Sequence, residues 1–399
     1  MKYLMIICDG MPDGGEATPL SQAYHPALDF LAINGKTGTI DLKYEIADSD
    51  IGFLKLLGCF EDYPGRGYLE ALAAGIDCGD NDVFIRANFA TLGSDNLLKD
   101  RRAGRDEAGL DEFAKKIDGI EIDNMKFVVK RTLGHRMVIV MKSIDGKRLS
   151  DQIIGNDAKA VGVHVKQVKS KKPLAKRTAA ALNKFVYKTN KILSALEANK
   201  KRAFPANFIL IRNAGHKTET PSFQQRYGMS ACCVAAHPVM EGVAKFLGMN
   251  FIKPEGANGL ENTNLNSKLV STLEMLKKYD FVLLHVNGFD QMSHDRDPER
   301  KKRFIEKFDA SIVKKLLEKT DLNDIVVIVT SDHASASSPA HKGYEHLKDP
   351  VPVVVCGDGI KSDGSKRFDE LNAEKGSLKI INTGLLETVF RLASQSKPK

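Results

Sequence analysis

The sequence predicts an α/β fold built on a largely parallel sheet with helices on both faces. Three observations carry that prediction. Short runs of β-branched and aliphatic residues recur along the chain, the pattern of strands buried on both faces. Helical patterns separate them, and strands that alternate with helices pair in parallel. Acidic and histidine residues then stand directly after several runs, where open parallel sheets hold their sites, beyond the carboxyl ends of the strands. With 399 residues, 42% apolar and 28% charged, the chain is long enough for two or three domains and a real core. That composition excludes a disordered or collagen-like chain.

The strands are expected, in order, at 3 to 8, 137 to 141, 207 to 211, 280 to 286, 325 to 329 and 351 to 356. The clearest helix is 301 to 319, where Phe304, Ile305, Phe308, Ile312, Val313, Leu316 and Leu317 recur at helical spacing among Lys and Glu. A shorter one is expected after Asp48, which reads as its cap, with Gly58 as its end and Ser49 at its amino terminus. No internal repeat at a fixed period is present. The opening run stays apolar for only six residues before Asp9, too short for a signal segment. No later segment approaches the roughly 20 apolar residues of a membrane helix. The six cysteines (Cys8, Cys59, Cys78, Cys232, Cys233, Cys356) form no C-x-x-C, which argues against a zinc ribbon or redox motif and fits free thiols in a reducing cytoplasm.

Charge is distributed unevenly. Residues 142 to 202 hold sixteen Lys or Arg against four acids, a balance of +12 that exceeds the whole chain's +8 and leaves the rest acidic. This is either a basic insert turned toward an acidic, metal-holding part or a solvated lysine-rich surface. Its only aromatics are Phe185 and Tyr187, and no nucleic-acid-binding signature accompanies it, so nucleic acid is not an expected partner.

The chemistry-bearing residues gather at strand ends: Asp9 after the first run, Asp290 and His294 after 280 to 286, Asp332 and His333 after 325 to 329, and His346 before 351 to 356. Three carboxylates and three imidazoles meeting at one sheet edge would repel and desolvate one another unless cations lay between them. Asp290 and His294 can reach one ion across a single helical turn, and Asp332 with His333 can serve a second. With no thiolate in the set, the ions expected are Mn²⁺, Mg²⁺ or Zn²⁺. Two such ions would clamp the attacking and leaving oxygens of a phosphoryl group. Ser49, at a helix amino terminus that favours an anion, is the candidate nucleophile. Its local pattern alone favours a plain capping serine, and only its partnership with the metal-ligand clusters makes it the nucleophile.

With Asp9, Ser49, Asp290, His294, Asp332, His333 and His346 in this order, the chain resembles metal-dependent members of the alkaline phosphatase superfamily. More narrowly it resembles the archaeal-type, cofactor-independent (2,3-bisphosphoglycerate-independent) phosphoglycerate mutases. The likeness runs through Cys8-Asp-Gly-Met-Pro-Asp13, Thr18-Pro-Leu20, Gly65-Arg-Gly67 with Leu69-Glu-Ala71, Asp100-Arg101, Arg212, Pro221-Ser-Phe223 with Arg226-Tyr-Gly228, Asn262-Thr-Asn264 and Asp349-Pro-Val-Pro352.

The resemblance implies that Ser49 is phosphorylated in a covalent intermediate, that Asp9, Ser49, Asp332 and His333 hold one ion, and that Asp290, His294 and His346 hold the other. His346 stands four residues before the first Pro of Pro-Val-Pro, as the family pattern has it, with His341 the alternative. The implied fold is an alkaline-phosphatase-like parallel-sheet domain, 1 to 62 and 216 to 399, interrupted at 63 to 215 by a smaller α/β substrate-binding domain. Arg136 and Arg212 are its candidate grips on substrate carboxylate and phosphate. The implied reaction is the glycolytic interconversion of 2- and 3-phosphoglycerate in the cytoplasm, with no 2,3-bisphosphoglycerate, no membrane and no particular oligomeric state. A phosphatase or a phosphotransferase, such as a small-alcohol kinase, is the alternative on the same scaffold. The chain departs from the family pattern at Phe53 (usually Asn), Ser293 (usually Gly), Arg105 (where the pattern has His) and Asn262 (more often an acid).

Overall fold

Eight strands form one twisted sheet in the order Asn250–Ile252, Ala231–Val234, Phe281–Val286, Lys2–Cys8, Ile325–Thr330, Val351–Gly357, Lys36–Asp41 and Leu378–Ile381. The computed structural model describes residues 1–15, 17–343 and 345–394. Every residue of Phe281–Val286 and Ile325–Thr330 is buried, so their unbroken apolar runs are strands covered on both faces. Lys2–Cys8 lies between them, parallel to both, with Ile7 opposite His285 on one side and Thr330 on the other. This register brings three carboxyl ends to one level, and the chain leaves them at Asp9, Asn287 and Ser331.

Five of the seven pairings in this sheet are parallel. Val351–Gly357 is the exception and runs antiparallel to both neighbours. Among the described residues between Thr330 and Val351 there is a two-stranded ribbon and no helix, and so not the crossover that a parallel return needs. The expected helix at 301 to 319 starts earlier and has three parts: α-helix Pro298–Phe308, a π segment Asp309–Val313 and α-helix Lys314–Lys319. Asp297 caps it by accepting from the Arg300 N–H. In the π segment, buried Asp309 accepts the N–H groups of Ala27 (3.1 Å) and Leu28 (2.8 Å), serving the first turn of helix Pro26–Asn34.

The chain divides into two units, Met1–Tyr63 with Thr220–Lys399, and Pro64–Glu219. The second unit has its own core and an antiparallel sheet in the order Phe208–Gly215, Val83–Leu92, Arg136–Ser143, Met125–Arg131 and Ile120–Ile122. The runs at 137 to 141 and 207 to 211 therefore belong here and not to a parallel sheet. Its later border falls beyond residue 215 because the His216 N–H donates to Pro64 O (3.0 Å) and Lys217 pairs with Asp80 (2.8 Å). Of the sixteen basic residues between 142 and 202, all but Lys142, Arg177 and Arg202 are exposed. Among the described residues no helix is long and apolar enough to cross a membrane.

Candidate metal centre

Asp9, Asp332 and His333 form one group of convergent ligand atoms, and Asp290, His333 and His346 form another; within each group the atoms lie within 4.8 Å of one another. In the first, His333 Nε2 stands 3.5 Å from Asp9 Oδ1 and 3.4 Å from Asp332 Oδ2. Both of these carboxylate oxygens are buried without a hydrogen-bond partner. Leaving a buried charged acceptor unsatisfied is costly, and a divalent cation among these O and N donors would satisfy both, so the residues fit such an ion. Burial, with repulsion from Asp9 and Asp290, raises the Asp332 carboxyl well above the usual range. Burial and the neighbouring His346 push His333 down to about 4, which keeps its ring neutral and able to bind a cation.

In the second group His346 Nε2 is 3.3 Å from Asp290 Oδ1 and His294 Nε2 is 3.2 Å from Asp290 Oδ2. Asp290 and His294 stand one turn apart on helix Gly288–His294, as their spacing predicts. His294 faces this group from its rim, with its ring 5.2 Å from that of His346, while His333 stacks on His346 at 3.8 Å. Burial opposes charge on Asp290, yet His294 and His346 outweigh it and hold the carboxyl well below its usual range. Burial likewise opposes charge on His346, but its hydrogen bond to Asp290 raises it to about 9. His346 sits in the short strand His346–Leu347, its Nδ1 donating to Ala47 O at 2.7 Å; His341 is in neither group.

Ser49 opens helix Ser49–Leu56 with its Oγ 3.3 Å from His333 Nε2. Asp48 occupies the cap position, but its side chain makes no capping bond, contrary to the sequence expectation. The helix is seated by close approach at Gly52, where a Cβ would stand 2.4 Å from Tyr44 Oη and 2.6 Å from Asp332 O. The Tyr44 hydroxyl itself donates to that Asp332 carbonyl.

Several participants carry no motif. Asp9 Oδ2 accepts from Asn287 Nδ2 (2.5 Å) and His285 Nε2 (3.0 Å), which turns Oδ1 toward His333. Phe53 is fully buried and meets the His285 ring edge-on at 5.0 Å. Ser293, also buried, directs its hydroxyl at Phe289 O (3.3 Å) and Ser335 O (3.2 Å). Arg105 and Asn262 are exposed. His285 could be suspected as the one polar residue within a run of buried strand positions; Asn287 gives no such sign.

The second unit holds a separate cluster of cations. Arg212 stands directly opposite Arg86, and Arg136 opposite Asn88, in its antiparallel sheet. Like charges in directly opposed positions are unfavourable without an anion. Buried Glu70 partly offsets them, lying 3.0 Å from Arg66 Nε and 3.1 Å from Arg86 Nε, and Asp157 joins Arg101 (2.8 Å) to Arg212 (3.2 Å). Burial and then Arg66 lower Arg86 to about 9, while burial and then Arg136 lower His135 to about 3. Arg136 and Arg212 thus share a face with Arg86, which sequence reading did not single out.

Comparison with known proteins places this geometry among relatives. A model of the Metalloenzyme superfamily matches residues 1–390. The chain is 39% identical to 2,3-bisphosphoglycerate-independent phosphoglycerate mutase 1 of Archaeoglobus fulgidus, covering 100% of this chain and 99% of that protein. It is 37% identical to the 2,3-bisphosphoglycerate-independent phosphoglycerate mutase of Thermoplasma volcanium over 99% and 98%. Among solved structures, the cofactor-independent phosphoglycerate mutase of Thermoplasma acidophilum superposes with a TM-score of 0.66 at 30% identity, covering 98% of this chain and 99% of that one.

Proposed function

The chain belongs to the Metalloenzyme superfamily and, within it, to the 2,3-bisphosphoglycerate-independent phosphoglycerate mutases, and from that premise we propose that it interconverts 2- and 3-phosphoglycerate through a phosphoserine at Ser49. One observation carries the reading: the only nucleophilic hydroxyl proposed from sequence stands 3.3 Å from His333 Nε2, beside two buried carboxylate oxygens that lack a hydrogen-bond partner. Asp9, Ser49, Asp332 and His333 would hold one divalent ion and Asp290, His294 and His346 the other. When bound, the ions supply electrostatic stabilisation of the charge that develops on the transferring phosphoryl group.

The residues of the chain do the rest. Ser49 Oγ, relieved of its proton, forms the new P–O bond as the bond to one glycerate oxygen breaks, and that oxygen takes up a proton. The second hydroxyl of the glycerate then attacks the phosphoserine, gives up its own proton and restores Ser49. Splitting the transfer in two makes each step a single displacement, and water must be kept from the phosphoserine or the sequence ends in hydrolysis. The arginines of the second unit, with Arg136 and Arg212 foremost, hold the substrate's carboxylate and phosphate as bidentate donors. The reaction is one of glycolysis and gluconeogenesis in the cytoplasm, with manganese the first metal to test.

A coupled assay on 3-phosphoglycerate, with added Mn²⁺ and no 2,3-bisphosphoglycerate, tests this. Formation of 2-phosphoglycerate with little free phosphate is expected. Stoichiometric phosphate release without 2-phosphoglycerate would replace the mutase with a phosphatase, and transfer to an added alcohol would replace it with a phosphotransferase.

A further inference from the structure

We propose that Ser335 is the positioning residue that ties the two ligand groups into one unit, anchored from beneath by the buried ammonium of Lys301. This rests on the two-ion reading above. Ser335 is fully buried, and its Oγ lies 2.9 Å from Asp290 Oδ1 and 3.3 Å from His333 Nδ1. It therefore touches a residue peculiar to the second group and the histidine common to both.

A serine hydroxyl has one proton to give. A carboxylate can only accept, so that proton goes to Asp290. The same oxygen is then an acceptor toward His333 Nδ1, and the other neighbour of Nδ1, Ala334 O at 3.3 Å, can also only accept. His333 thus carries its proton on Nδ1, and the Nε2 lone pair is the one presented to Asp9, Asp332 and Ser49. Fixing a ligand's tautomer and ring plane through its second nitrogen is how outer partners tune a metal site.

The main chain of Ser335 is held as firmly. Its N–H donates to Pro12 O (2.8 Å), and its register partner in the short ribbon is His346. Its carbonyl accepts from Lys301 Nζ at 2.8 Å, and the same ammonium reaches Pro12 O at 3.3 Å and Asp13 Oδ2 at 3.6 Å. Lys301 has no exposed surface, because it shares the buried face of its helix with Phe304, Ile305 and Phe308. A cation is retained in such a place only when its donors are met, and here two of them clamp the segments that carry Asp9 and His333. Gly10 completes the fit: a Cβ there would stand 2.9 Å from Ser335 Oγ and 3.0 Å from Asp290 Oδ1.

The test is titration of the full-length, metal-free protein with Mn²⁺ alone, with the absorption spectrum of the Co²⁺-loaded protein as a second readout. Ser335→Ala should keep its far-UV circular dichroism, bind Mn²⁺ about 10–100-fold more weakly and show altered Co²⁺ bands. Ser335→Thr and Ser335→Val, alike in shape, isolate the hydroxyl whatever the fate of the alanine variant; the threonine form should bind Mn²⁺ at least about tenfold more tightly. Equal Mn²⁺ affinity and equal Co²⁺ spectra with and without the hydroxyl, while the wild type binds two ions, would overturn the assignment. A wild type that binds no Mn²⁺ would instead overturn the two-ion reading.

Discussion

Raising the pH should tighten metal binding and, over the same range, weaken the metal-free fold. In the absence of metal His346 keeps its proton to about 9 although it is buried, because Nε2 faces Asp290 Oδ1 at 3.3 Å and Nδ1 donates to Ala47 O at 2.7 Å. A cation at Nε2 must displace that proton. At pH 7, about two units below the folded value, the displacement costs about 3 kcal/mol, so Mn²⁺ affinity at the Asp290 group should rise about tenfold per pH unit up to about 9 and then level. Asp332, whose carboxyl is also raised, adds proton release in the same direction. The stability term has the opposite sign. A histidine raised from 6.5 to about 9 stabilises the fold fully below 6.5, and that contribution, about 3 kcal/mol at most, is lost as pH climbs through 9. Calorimetric Mn²⁺ titrations at pH 7 in buffers of differing ionisation enthalpy should show at least one proton released per chain, and chelator-treated protein should melt progressively lower from pH 6.5 to 9. Affinity independent of pH across that range, with no proton release, would refute the role given to His346.

Two further outcomes follow from the geometry around Ser49. Ser49→Ala should lower turnover by at least ~10³-fold while the protein still folds and still binds Mn²⁺, more weakly at the ion that Ser49 would help to hold; activity close to wild type would remove Ser49 as the nucleophile. Gly52→Ala places a methyl 2.4 Å from Tyr44 Oη and 2.6 Å from the Asp332 carbonyl, which should cost about 1–3 kcal/mol as overpacking and lower kcat more than it raises KM, because the helix that carries Ser49 must back away. An unchanged melting temperature and kcat would show that the helix has slack there.

Legibility of the fold followed burial. Phe281–Val286 and Ile325–Thr330 are covered on both faces and appear in the sequence as unbroken apolar runs. The antiparallel course of Val351–Gly357 could not be read from its own residues, because it goes with a preceding connection whose described residues hold no crossover helix. In the site, the charged residues at strand ends were visible, and the residues that orient them were not. Ser335 lies in the run Ala334-Ser-Ala-Ser-Ser338, which reads as a loop with no chemistry of its own. Lys301 stands in a basic run that reads as solvated, yet it lies at helical spacing from Phe304, Ile305 and Phe308, and that periodicity was the available sign of burial. Lys268 repeats the pattern, fully buried beside Leu265, Leu269 and Thr272 with Nζ donating to His285 O at 2.7 Å.

The second unit shows why charge counted along a chain and charge gathered in space can part company. The stretch from 142 to 202 dominates the arithmetic, but its lysines are almost all exposed, as hydrated ammonium groups on flexible stems prefer. The cations that converge lie outside that stretch or at its edges: Arg66, Arg136 and Arg212, which the family resemblance touches, and Arg86, which nothing in the sequence singles out, brought together by a helix and three antiparallel strands. Only that pairing sets Arg212 directly against Arg86. Two carboxylates, Glu70 and Asp157, cannot neutralise the set once Arg101 is counted, and burial, with the field of Arg136 and its neighbours added to it, holds His135 neutral down to about 3. An anionic ligand with separate carboxylate and phosphate ends would relieve this repulsion at two points, which is why the function proposed above assigns substrate recognition to the arginine face and not to the lysine-rich stretch.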